Sequence, residues 1–504
     1  VGGRAILGGD MAGAAPSYPL RAAVPALAPH MLGDPAFRRA YGVRYAYIAG
    51  AMANGISSEA MVEAAGRAGL LGFFGAAGLP LARVEQAIDR LQRSLDHQPF
   101  GFNLIHSPNE PDLESAVVDL YLRRGVHTVS ASAYLDLTLP LVRYRLRGIR
   151  RDPDGRVVCP NRVLATVSRI EVARKFLSPP PPPLVQALVE RGDLTPQQAE
   201  MARSAPMADD ITAEADSGGH TDNQPAVALV PTLIALRDAL QAEHRFSVPV
   251  RVGAAGGIGT PGSAAAMLAM GAAYLATGSI NQSCLEAGTS RAVREMLAQA
   301  RQGDVTMAPA ADMFEMGVRV QVLKWGTMFA LRARKLYDLY RAYASLEDLP
   351  SAVRAMLERD YFRCPLDQAW ADTRRFFEER DPRQIARAEK DPKHRMALVF
   401  RSYLGRASQW AIAGEPTRQA DYQIWCGPAM GAFNEWVKGS FLEKAENRQV
   451  AVVGLNILLG AAVAIRSGWL RAHGVEVPPA AADFRPLPPE GLQAVLQPDP
   501  TPVV

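Results

Sequence analysis

Two glycine-rich turns lie one short helix apart: Val252-Gly-Ala-Ala-Gly-Gly-Ile-Gly-Thr-Pro-Gly262 and Gly271-Ala-Ala-Tyr-Leu-Ala-Thr-Gly-Ser279. Each contains an apolar strand-like run and ends in backbone N–H groups that no side chain obstructs. Such turns suit a phosphate, because glycine allows close approach and a helix N-terminus favours an anion. The phosphate role is therefore assigned to Gly256, Gly257, Gly278 and Ser279. A third run, Thr212-Ala-Glu-Ala-Asp-Ser-Gly-Gly-His-Thr-Asp222, places His220 beside a corner opened by Gly218 and Gly219. A histidine on a loop of this kind has no packing reason to be there, and its near-neutral pKa suits donating a hydrogen bond or a proton. Ala51, Met52 and Ala53 offer a shelf of small residues and main chain on which a flat ring can lie, and Asn103 adds an amide with both donor and acceptor. A cradle, a shelf, an amide and a histidine at one mouth suit flavin mononucleotide (FMN), whose ring carries the redox chemistry while the protein orients it. Each part has a plainer reading: tight βα turns, strand-end packing, or a loop cap. His97, His106 and His127 are weaker candidates for chemistry.

These residues need a scaffold that brings distant turns to one face. Apolar runs recur at 45–52, 70–74, 100–104, 127–132, 162–167, 210–215, 248–254 and 272–278, with helical segments between them. About eight βα units is the number a closed parallel barrel requires, and its βα loops converge on one mouth. The expected fold is thus α/β, a (β/α)8 TIM barrel with an additional helical subdomain. The expected organisation is an N-terminal extension at 1–44 and the barrel at 45–310, with an insertion about 178–207 in which Thr195 caps a helix starting at Pro196. A helical lid or substrate subdomain follows at 311–420, with 312–349 and 352–410 read as helices. A segment at 421–475 packs back on the barrel, and a proline-rich tail at 476–504 is expected to be extended.

Composition narrows the function classes. With 504 residues, 48% hydrophobic and a net charge of +4, the chain is globular and carries no field strong enough to imply nucleic acid. Its four cysteines are far apart and form no C-x-x-C pair, which argues for a reducing compartment, the cytoplasm, and against a structural metal. Prolines at Pro16, Pro19, Pro25 and Pro29 break any signal-peptide run. The apolar stretch from Val450 to Ile465 is too short to span a bilayer and contains Asn456, so a buried helix is expected there and no membrane span.

Ser217-Gly-Gly-His-Thr-Asp-Asn-Gln-Pro225, taken with Gly256-Gly-Ile-Gly-Thr-Pro261, resembles the nitronate monooxygenase-like flavin barrels. Two further blocks, Met313 to Ala333 and Trp425 to Ser440, are similar to those of the trans-acting enoyl reductases of polyketide and polyunsaturated fatty acid synthases. The resemblance runs from about Gly50 to Lys438. It implies an FMN-dependent enzyme, reduced by NAD(P)H, that saturates the α,β-double bond of a 2-enoyl thioester on an acyl carrier protein. Within it His220 would be catalytic and basic helices between Arg374 and Arg406 would receive the acidic carrier. Thr166 stands where a lysine is expected in relatives, which removes a cationic flavin contact from the fifth strand. Two other readings stay open: a nitronate-oxidising flavoenzyme, and a flavin-less scaffold that binds carrier proteins. The sequence leaves open the acyl substrate, the choice between NADPH and NADH, and the oligomeric state, a homodimer being one expectation.

Overall fold

The computed structural model describes residues 27–106 and 111–496. The prolines Pro16, Pro19 and Pro25, and the tail prolines Pro498, Pro500 and Pro502, lie outside the described residues. The chain enters through a short helix α1 (Pro35–Tyr41) and then alternates strand and helix: β1 (Tyr47–Ala49), α2 (Glu59–Arg67), β2 (Leu71–Phe74), α3 (Leu81–Leu95), β3 (Phe100–Ile105), α4 (Pro111–Arg124), β4 (Thr128–Ser132), α5 (Leu139–Leu146), β5 (Arg162–Val167), α6 (Ile170–Leu177), α7 (Pro182–Glu190), α8 (Pro196–Ala202), β6 (Asp210–Glu214), α9 (Ala226–His244), β7 (Arg251–Ala255), α10 (Pro261–Ala269) and β8 (Leu275–Thr277). Strands β1 to β8 pair in sequential order, all parallel, and close when Tyr47 to Ala49 of β1 register with Leu275 to Thr277 of β8. This is a TIM barrel. Helix starts obey local chemistry: Ser58, Thr138, Thr195 and Thr260 each accept a backbone N–H of the first turn, and Thr195 and Thr260 form capping boxes. Helices α7 and α8 fill the insertion expected after β5.

The N-terminal end of the barrel is closed by α1. Phe37 stacks on Tyr274 with ring centroids 4.4 Å apart, and the Tyr41 hydroxyl donates to Asp210 Oδ2 at 2.5 Å. Arg251 completes this floor through two 2.7 Å bonds to the same fully buried carboxylate. Burial pushes the Asp210 carboxyl up, against the pull of the Arg251 charge and the two donors. With α1 packed on the floor, the large cavity lies at the opposite, C-terminal end.

After β8 come α11 (Ser279–Gln282) and α12 (Arg291–Gln299), and the chain then builds a second core. Here the structure differs from the expectation of unbroken helix from 312. β9 (Val305–Pro309) and β10 (Arg319–Leu323) form an antiparallel pair, and β10 also pairs with the barrel-loop segment Gly219–His220. The run Val318-Arg-Val-Gln-Val-Leu323 is β-branched at alternate positions, a pattern that fits a pleated surface better than a helix. Helices α13 (Phe329–Ala342), α14 (Ser351–Met356), α15 (Leu366–Arg380), α16 (Pro382–Ala388) and α17 (Pro392–Ala413) follow, gathered around Phe314, Phe329, Leu336, Phe400 and Tyr403.

The chain returns to the barrel through α18 (Ala429–Val437) and α19 (Val450–Ala472). Helix α19 is long and apolar enough to cross a membrane by length and composition, yet 67% of its most apolar window is buried inside the protein. The segment expected to be extended is not so up to residue 496. It forms α20 (Pro479–Ala482) and α21 (Pro489–Leu496), buries Leu492, and is fixed by Asn456, whose side-chain amide bonds both the N–H and the C=O of Leu487. Prolines stop long helices without preventing short ones, because proline is tolerated in a first turn.

Candidate active site

A cavity of about 1110 Å³ opens at the C-terminal ends of the barrel strands. Ala51, Met52, Ala53, Asn103, Gly218, Gly219, His220, Gly256, Gly257, Gly278 and Ser279, eleven positions from five βα units, all line it. The residues singled out by type and spacing are thus gathered by the barrel at one mouth.

The shelf after β1 is held from below. Met52 N–H donates to Ser57 Oγ at 3.0 Å, and that hydroxyl donates to Gly50 O at 2.7 Å, so the 50–52 main chain is fixed before any ligand arrives. Asn103 has a different use from the one expected for a free amide. Its Oδ1 accepts from the N–H groups of Ala76 (2.7 Å) and Ala77 (3.1 Å), which leaves Nδ2 alone to meet a ligand. In the cradle, Gly256 and Gly257 have φ of +80° and +70°. A Cβ on Gly256 would meet Ala215 carbonyl atoms at 2.6 Å, whereas one on Gly257 or Gly278 would meet nothing within 4 Å. Gly256 is required by the fold; Gly257 and Gly278 leave open space. Neither of their amides finds an acceptor among the described residues. The Ser279 hydroxyl accepts from Gly427 N–H at 3.0 Å, so this residue ties the cradle to the Trp425 block.

His220 stands at the end of a braced loop. Its backbone pairs with Val320 of β10, and the buried Gln321 donates to Asp216 Oδ1 (2.8 Å) and Ser217 O (2.7 Å). Main chain at Gly218 and Gly427 is packed so closely that a Cβ on either would lie within 2.9 Å of the other segment. The two sequence blocks beyond the barrel thus serve to position this histidine. Its Nε2 meets Asp312 Oδ1 at 3.2 Å, which leaves Nδ1 outside that bond, and the side chain is 39% exposed. Burial alone would lower the His220 pKa, but the hydrogen bond and charge of Asp312, with the charge of Glu214, outweigh it and raise the pKa. Asp312 is correspondingly lowered: burial would raise it, and the His220 contact prevails. Burial pushes Glu214, at the end of β6, up to about 7, although Ser217 donates to it at 3.1 Å.

Glu214 and Asp312 are the site residues that sequence reasoning missed. Glu214 lay within the quoted Thr212–Asp222 run, and a carboxylate at a barrel strand end was the available signal. Asp312 is 92 residues from its partner and gave none. Thr166 lines the cavity with its hydroxyl 3.4 Å from Ser130 Oγ, so β5 supplies no cation to the cavity; Arg169 beside it is engaged by Asp222. His106 also lines the cavity, bound to Glu114 at 2.8 Å. Three of the basic residues expected to form a docking face on the helical subdomain are engaged within the protein. The Lys393 ammonium donates to the carbonyls of Tyr340 and Tyr343, Arg395 pairs with Glu347, and Arg374 pairs with Glu378 and Glu389. Residues from α15 and α17, including Asp372, Phe376, Ser402 and Arg406, also line the cavity.

Residues 343–422 match the family model described as the inserted helical domain of [acyl-carrier-protein] S-malonyltransferase. The enoyl reductase domain of MlnA, from the macrolactin biosynthesis cluster of Bacillus amyloliquefaciens, is 41% identical, with a TM-score of 0.84 over 88% of this chain and 100% of that one. A polyunsaturated fatty acid synthase component of Thraustochytrium sp. is 48% identical over 447 residues. Polyketide biosynthesis protein PksE of Bacillus subtilis is 46% identical over 433. These alignments cover 87% and 86% of this chain but 30% and 56% of the two relatives, so the chain spans about half their length or less.

Proposed function

The chain belongs to the enoyl reductases of polyketide and polyunsaturated fatty acid synthases, and from that premise we propose that it is an FMN-dependent enzyme that uses NAD(P)H to reduce the α,β-double bond of 2-enoyl thioesters on an acyl carrier protein. The observation that carries the reading is a glycine cradle and a carboxylate-held histidine facing one large cavity on a sealed barrel. The residues fit the cofactor. The open amides of Gly257 and Gly278, with Ser279, suit its phosphate, and the fixed 51–53 main chain, Gly218, Gly219 and Asn103 Nδ2 suit the ring. When bound, the flavin supplies hydride transfer from nicotinamide to Cβ of the substrate.

The protein's own part is electrostatic. Charge builds on the thioester oxygen as Cβ is reduced, and a donor already aimed there stabilises it without reorganisation. His220 is that donor: Asp312 holds Nε2, both carboxylates favour the protonated ring, and Nδ1–H is left for the substrate. The same proton is available for Cα. Helices α15 and α17 contribute the wall of the cavity away from the barrel. We take the enzyme to act in the cytoplasm, a compartment that keeps thiols such as its four free cysteines reduced.

The test is a visible absorption spectrum followed by anaerobic mixing with NADPH, NADH and a crotonyl thioester, free and carrier-bound. Flavin bleaching by a nicotinamide and re-oxidation by the thioester are expected. Re-oxidation by oxygen with nitronates but not by the thioester would make the protein an oxidase, and a colourless protein would remove the flavin reading.

A further inference from the structure

A glycine inside a helix costs roughly 0.5–1 kcal/mol relative to alanine, so its presence asks for a steric reason. Most helix-interior glycines of this protein have one. Gly66 faces Leu95 at 3.1 Å, Gly454 faces Tyr47 at 3.2 Å, and Gly460 lies against Pro261 and Phe484. Gly405 has none. It lies deep within the 22-residue α17, its φ is not positive, and an added Cβ would meet nothing within 4 Å. Gly468, the other such residue with open space beside it, is exposed on α19, whereas Gly405 is half-buried and lines the cavity.

The missing side chain at 405 keeps space open between α17 and its neighbour. Ser402, Arg406 and Gln409 share the cavity-facing side of α17, and Asp372, Phe376 and Arg380 present a facing stripe from α15 at helical spacing. Arg406 is exposed, lies over the Trp410 ring at 5.9 Å and has no carboxylate partner among the described residues. Phe376 is 50% exposed although large and apolar. The cleft therefore offers the Arg406 guanidinium, amide and hydroxyl hydrogen-bonding groups and an exposed aromatic face, with Asp372 and Arg380 on the facing helix, and it is continuous with the chamber that holds His220. A flexible arm with a phosphate at its outer end, amides along its length and a thioester at its inner end carries groups complementary to these.

We propose that the α15–α17 cleft admits the phosphopantetheine arm of a carrier-bound thioester, with Gly405 leaving room for the arm and Arg406 meeting its phosphate. The proposal rests on the enoyl reductase reading and adds the route by which its substrate enters.

The test uses Gly405→Leu and Arg406→Ala in the full chain. Leucine is a strong helix former, so α17 is retained while the cleft is filled; Gly405→Ala serves as the smaller step. For Gly405→Leu, KM for crotonyl-phosphopantetheine and for the carrier-bound thioester rises at least tenfold, while flavin reduction by NADPH in the absence of thioester keeps its rate. For Arg406→Ala, KM rises about tenfold for the phosphorylated thioester and stays unchanged for crotonyl-pantetheine, which lacks the phosphate. Calorimetric titration with crotonyl-phosphopantetheine reads the same losses without turnover. Unchanged affinity in both variants overturns the proposal, as does slowed NADPH oxidation with thioester KM intact, which would give the cleft to the nucleotide. If the unaltered protein binds the thioester through these residues but does not reduce it, the cleft stands and the reductase reading fails.

Discussion

Gly257→Asp tests the phosphate cradle with a magnitude that the structure supplies. The residue has φ of +70°, a conformation that aspartate and asparagine tolerate better than other side chains, and a Cβ there meets nothing within 4 Å. The variant therefore folds, and the new carboxylate stands in the space assigned to the anion. Two unit charges about 4 Å apart repel by roughly 4 kcal/mol at an effective dielectric constant of 20, which is about a thousandfold in the dissociation constant. Gly257→Asn adds nearly the same volume without the charge, so the difference between the two variants isolates the electrostatic part. The assay is flavin content per chain after gel filtration, followed by FMN titration of the stripped proteins. The asparagine variant is expected to keep measurable affinity and the aspartate variant to lose it, both with circular dichroism and melting like the unaltered protein. A folded aspartate variant that retains stoichiometric flavin would place the phosphate elsewhere.

Replacing His220 with Ala leaves flavin bound and slows enoyl reduction about a hundredfold, the scale of losing one oxyanion donor; stopped-flow traces in which both half-reactions are unchanged would make it structural. Asp312→Asn removes a carboxylate that raises the His220 pKa. The protonated histidine persists below its pKa and is lost as pH rises through it, so the alkaline limb of kcat/KM moves to lower pH, and an unmoved limb counts against the pairing. Arg251→Ala leaves the Asp210 carboxylate buried without its guanidinium and costs about 3–5 kcal/mol, read as a lower denaturant midpoint. Flavin content of the surviving folded protein should not change, because that pair lies at the sealed end.

The barrel was readable because parallel strands covered on both faces are written as short apolar runs, and each of the eight appeared near its place. The cradle was readable because glycine leaves a mark wherever main chain must stay bare. What escaped was pairing between distant segments. β10 lies in a region rich in leucine and charge that reads as helix, and it becomes a strand because β9 and the histidine loop offer it partners. The oxygen of Asn103 was spent on the loop after β2, a use no local pattern announces. Lys393 and Arg395 read as a solvated basic face, yet tertiary packing turns the lysine onto two main-chain carbonyls.

The floor of the barrel also bears on how the chain is made. Helix α1 leaves the ribosome before the barrel strands, but the Asp210 that receives the Tyr41 hydroxyl is 169 residues further on, and the Tyr274 ring that stacks on Phe37 follows later still. At about 5–20 residues per second, roughly ten to thirty seconds pass before the first of these partners is synthesised. During that interval Phe37 and Tyr41 have no native surface to bury, and the early βα units have no floor. Docking of α1 therefore waits until β6 and β8 have emerged, and the early βα units must be kept from aggregating until then.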